Sequence, residues 1–136
     1  VSGLCVTAAL GGALLATLPG ASFTLSWTHS VEKTEWREEW RVEEGRLILA
    51  EARVRGTGAG MEPGPDARLI GGWWVWTPRL APQDSVTLAA SGFTADHRLC
   101  AGKDCRLLSA WTGRVGEVVT LHPCRPGYKS SPPSAP

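Results

Sequence analysis

The chain carries almost no net charge. Fourteen Lys and Arg against thirteen Asp and Glu leave +1 at neutral pH, so the basic footprint that holds a nucleic-acid backbone is missing and no nucleic acid is expected as a partner. Long apolar runs are missing too. The opening segment VSGLCVTAALGGALLATLPGA is broken by Gly11, Gly12 and Pro19, whereas a spanning helix needs ~20 apolar residues without interruption. That segment also has no Lys or Arg, and so no basic n-region of a secretory signal. It reads as mature protein that forms the first strand and its connection, with a signal or membrane anchor expected to precede Val1. Cys5 is a poor lipidation site, because Leu4 stands where a small residue is wanted. No CxxC pair, HExxH or GxSxG elbow occurs, so the common signatures of zinc sites and of Ser hydrolases are lacking and no cofactor is called for.

What is present fits one globular domain. A chain of 136 residues, 43% hydrophobic and 20% charged, is long enough to close one core and too short for a second domain. Cys5, Cys100, Cys105 and Cys124 are an even set that suits two disulfides in an oxidising compartment. Three connectivities exist. Cys100 and Cys105 flank AGKD, which reads as a hairpin tip, so their pairing would staple two strands; Cys5 and Cys124 would then join the first strand to the last. The alternative is four buried, reduced thiols.

Along the chain, SFTLSWTHSV alternates so that Phe23, Leu25 and Trp27 share one face of a strand. In TEWREEWRVEEGRLILAEARVRG, the four-residue spacing of Trp36 and Trp40 suits a helix, but apolar residues two apart on either side of Glu44-Gly45 favour a hairpin. GTGAGMEPGPDARLIGG, residues 56–72, predicts a long ordered loop without regular structure. GWWVWTPRL, SVTLAAS, the hairpin DHRLCAGKDCRLLSAW and the closing GEVVTLHPC complete seven or eight short strands. This pattern predicts an all-β antiparallel sandwich or partly closed barrel over residues 1–124, with a frayed Pro- and Ser-rich tail over 125–136.

The stretch FTLSWTHSVEKTEWREEW, followed by GTGAGM, resembles domain-of-unknown-function family 1850. The resemblance rests on His29, Ser30, Val31 and Glu32 at a strand end, on Glu39 before Trp40, and on the turn Gly58-Ala59-Gly60. His97, in DHRL, falls where the family often carries a similar motif. The likeness runs from about Leu4 to Leu121, and the four cysteines are not part of the pattern. It implies a small extracytoplasmic or periplasmic protein. Members are commonly encoded beside TAXI-type TRAP solute transporters, whose binding proteins handle small carboxylated solutes. The implied role is therefore a non-catalytic accessory or binding domain, with a transporter membrane subunit or binding-protein subunit as partner.

The chemistry of the motif has several readings. His29, Ser30, Glu32, Lys33, Glu38 and Glu39 gather polar and titratable groups around one strand end and its return. A turn at Lys33-Thr34 would set His29 across from Glu39 at ~5 Å between Cβ atoms. Ser30, Lys33 and the amides around Gly58 and Gly60 would then take a carboxylate in a backbone nest, walled by tryptophans. A second set, His29, Glu32, Glu39 and His97, would hold a divalent metal in a domain that binds ions or small carboxylated solutes on its own. Ser30 cannot use His29 as a base, since adjacent side chains on a strand point to opposite faces. The plain alternative is a hydrogen-bonded His29 and a solvated corner at Glu32 and Lys33. Among Trp73, Trp74 and Trp76, if the last two face the core then Trp73 faces out, as a binding surface, under the long loop, or against Arg68 or Arg79.

Overall fold

The computed structural model describes residues 3–8, 12–29, 34–55, 66–88 and 97–124. In chain order these form β1 (Gly3–Ala8), β2 (Leu14–Pro19), β3 (Ser22–His29), β4 (Thr34–Glu43), β5 (Arg46–Arg55) and β6 (Arg68–Ile70). They continue with β7 (Trp73–Trp76), β8 (Val86–Leu88), β9 (Arg98–Ala101), β10 (Asp104–Leu107), the short helix α1 (Leu108–Thr112) and β11 (Val119–Pro123). Two antiparallel sheets result, one ordered β2-β1-β11-β8 and the other β10-β9-β3-β4-β5-β7-β6. Neither closes into a barrel. The all-β sandwich is as the alternation predicts, but the described residues hold eleven strands rather than seven or eight. No helix among them is long and apolar enough to cross a membrane.

The additional strands have local causes. The opening segment folds as a hairpin, β1 against β2, rather than as a strand and its connection. Its apolar density reflects the central place of β1 in the smaller sheet, where Leu4 and Val6 enter the core and Cys5 and Thr7 are buried as well. The expected loop of 56–72 ends in regular structure. Gly71 and Gly72 have φ of 57° and 88° and supply the two left-handed positions of a tight hairpin between β6 and β7. The predicted β4–β5 hairpin turns at Glu44 and Gly45, with φ of 51° and 75°, and pairs Glu43 with Arg46.

The core lies between the sheets. Leu4, Val6, Leu18, Val119 and Leu121 of the smaller sheet meet Phe23, Leu25, Trp40, Val42, Leu47 and Leu99 of the larger, and Leu108 of α1 joins them. Both predicted disulfides are formed. Cys5–Cys124 ties β1 to the residue that follows β11, and Cys100–Cys105 links directly paired residues of β9 and β10.

Candidate functional site

The register of the larger sheet sorts its side chains into two sets. Phe23, Leu25 and Trp27 of β3 stand opposite Trp40, Glu38 and Trp36 of β4, all on the face turned to the other sheet. Thr24, Ser26 and Thr28 stand opposite Glu39, Arg37 and Glu35 on the outer face. One charged residue thus falls within the apolar set. Glu38 occupies the same face as Trp36 and Trp40, with Leu25 beside it on β3 and Ala52 beside it on β5.

Aromatic rows run on both sides of that carboxyl. Trp27 stacks on Trp36 at 6.2 Å between ring centroids, Trp36 meets Trp76 edge-on at 6.3 Å, and His97 leans on Trp27 at 5.3 Å. On the other side Phe23 stacks on Trp40 at 6.1 Å. The row between holds Leu25, Glu38 and Ala52.

Leu25 and Glu38 of that row line a cleft of about 590 Å³. Leu25, Trp27, Glu38, Trp40 and Leu49 of the larger sheet line one side. The other side comes from Val86, Thr87 and Leu88 of β8, together with Leu80, Gln83 and Ser85 before it; His97 also lines the cleft. Backbone hydrogen bonds in both directions between Leu47 and Gln83, at 2.7 and 2.8 Å, fasten residues 77–85 to β5 and hold that wall in place. Trp40 Nε1 donates to Glu38 Oε1 at 2.9 Å. Burial pushes the Glu38 carboxyl above its ordinary value, and the Trp40 hydrogen bond opposes the shift only in part.

Of the residues expected to form the site, three have described side chains: Glu39 and Trp73 lie on the outer face of the larger sheet and His97 lines the inner cleft. His29 ends β3 paired with Thr34, while Glu39 pairs with Thr24, five pairs along the same ladder. The facing of His29 and Glu39 is therefore corrected: the return strand begins at Thr34 and runs back one residue per pair, which carries Glu39 far from the turn. Glu39 lies on the outer face and accepts a 2.7 Å hydrogen bond from Thr24 Oγ1, whereas His97 lines the inner cleft, so the two cannot share one metal ion. No cluster of three or more His, Cys, Asp or Glu able to hold a metal occurs among the described residues. Ser30, Glu32, Lys33, Gly58 and Gly60 lie outside those residues, as does the tail of 125–136.

Trp73 faces out, with Trp74 and Trp76 on the inner side opposite Val54 and Ala52. It is half-buried beneath two guanidinium groups, Arg55 at 4.5 Å and Arg37 at 5.0 Å from its ring. These replace the expected Arg68 or Arg79; Arg79 instead pairs with Asp66 at 3.3 Å. Sequence reasoning counted Glu38 in the polar cluster but gave the place in the site to its neighbour Glu39. The signal for Glu38 was parity: once the hairpin turns at Glu44-Gly45, Glu38 shares the face of Trp36, Trp40 and Val42.

The family described as a domain of unknown function, DUF1850, matches residues 23–108. The match takes in the whole larger sheet and β8, and leaves out β1, β2 and β11, so it is narrower than the expected likeness of Leu4 to Leu121. No curated protein and no solved structure matches the chain.

Proposed function

The chain belongs to the DUF1850 family, and from that premise we propose that it is an extracytoplasmic, non-catalytic binding domain that acts beside a TAXI-type TRAP solute transporter. Its ligand lies in the cleft between the sheets. The observation that carries the reading is the cleft itself: about 590 Å³, walled by Trp, Leu and Val, with a few polar groups at Glu38, Gln83, Ser85 and His97. Small-molecule sites have this size and this ratio of apolar wall to fixed polar groups. The two disulfides support an oxidising compartment. The link to the transporter comes from the family resemblance.

The test is a thermal-shift screen of the oxidised chain against small solutes, paired with co-purification against the transporter subunits. A solute that raises the melting temperature of the native chain, and fails to do so for Trp27→Ala, supports the cleft. A screen in which no solute shifts the native chain sinks the ligand reading. Ligand binding without any transporter subunit in the eluate would favour the other assignment, a domain that binds its solute alone.

A further inference from the structure

The charge pattern around the cleft selects a ligand class. Among the described residues, Glu35, Glu43, Glu51, Asp66, Asp84, Asp104 and Glu117 each lie within 4.0 Å of an arginine nitrogen. Glu38 does not. Its hydrogen-bond partner is the neutral indole of Trp40, and it sits on the inner face between two aromatic rows. A carboxylate in apolar surroundings without a cation is costly. A carboxylated ligand would worsen it, because two like charges in one apolar site repel. A cation would relieve it, and the indoles lining the same cleft add the attraction of an aromatic ring for positive charge.

Resting on the reading of the cleft as a ligand site, we propose that it takes a small organic cation: an ammonium group on an apolar ring or chain, seated on the Glu38 carboxylate and flanked by Trp27 and Trp40. The apolar part of such a ligand lies against Leu49, Val86 and Leu88. Its binding depends on pH. Glu38 must be ionised to pair with the cation, and burial raises its carboxyl above the ordinary range, so affinity grows as pH rises through that raised value. His97 is the other titratable side chain lining the cleft among the described residues.

The experiment is calorimetric titration of the full oxidised chain with benzyltrimethylammonium, benzyl alcohol and benzoate, on the native protein and on Glu38→Gln. Gln keeps an oxygen for the Trp40 N–H, so the variant is expected to fold. The expected result is that the ammonium probe binds, that benzoate does not, and that Glu38→Gln weakens the ammonium by about tenfold or more. Binding of benzyl alcohol or benzoate as tight as that of the cation would overturn the ligand class and leave the cleft as a ligand site. An ammonium affinity unchanged in Glu38→Gln would do the same. Silence of all three probes on the native chain would overturn this assignment, and if the wider solute screen is also silent, the ligand reading falls with it.

Discussion

Trp40 and Glu38, two residues apart on the same face of β4, are joined by a 2.9 Å hydrogen bond from the indole nitrogen to the carboxyl oxygen. The bond anchors the carboxyl at the floor of the cleft without neutralising it, so its ionisation works against the fold. The folded chain holds the Glu38 proton more tightly than the unfolded chain does, because burial raises its value above 4.5. Stability from this group is therefore complete below that ordinary value and lost as pH rises through the raised one.

Glu38→Gln removes the charge and keeps the acceptor. At pH 7 the variant should be more stable than the native chain by up to about 1 kcal/mol, or roughly 3–5 °C in melting temperature. The difference should close at acid pH, where the native carboxyl is protonated. Thermal denaturation of both proteins across that range checks it, and an equal or lower melting temperature for the variant at pH 7 would show that the carboxylate is well solvated.

The two disulfides should contribute unequally. Cys5–Cys124 spans a sequence separation of 119 and Cys100–Cys105 one of 5. Loop-closure entropy gives about 5 kcal/mol for the first and about 2 kcal/mol for the second. Denaturant titration of the paired Cys→Ala variants should thus find the Cys5/Cys124 variant the weaker. The reverse order would mean that the unfolded chain already holds its ends together.

Glu44 takes a left-handed backbone, φ 51°, at the first turn position of the β4–β5 hairpin. Glu44→Asn meets the preference of that turn and should stabilise the chain by about 0.5–1 kcal/mol. The exposed side chain of Glu44 has no ion-pair partner among the described residues that would offset the gain. A shift in the denaturation midpoint is the readout, and no shift would show that the turn pays no backbone penalty.

Trp73→Leu removes the ring beneath Arg37 and Arg55. Each such contact is worth about 0.5–1 kcal/mol at an exposed site, so a loss of about 1–2 kcal/mol is expected. Ligand affinity in the cleft should be unchanged, since Trp73 lies on the opposite face of the sheet. Weakened ligand binding in a folded Trp73→Leu variant would move the site to the outer face.

Much of the fold was legible because period-two alternation is a local property. Phe23, Leu25 and Trp27 announced the inner face of β3, and Glu44-Gly45 announced the turn between β4 and β5. The site was less legible for two reasons. The eye follows clusters, and His29 to Glu39 is the densest run of polar groups in the chain, yet an antiparallel register separates its two ends. Gly71-Gly72 misled in the same way: a glycine pair reads as loop, although left-handed positions are what a tight hairpin needs.

The sequence by itself determined the all-β class, the β4–β5 hairpin, the inner set of β3 and the plausibility of both disulfides, because alternation, turn chemistry and cysteine count need no partner strand to be read. Only the tertiary structure decided that β1 pairs with β11, that Gln83 is fastened to Leu47, and that Glu38 rather than Glu39 meets the cleft with His97. Those outcomes depend on which distant segments pack together. Pairing between residues more than a hundred positions apart is set by the burial of the shared core, and that leaves no periodic trace in the chain.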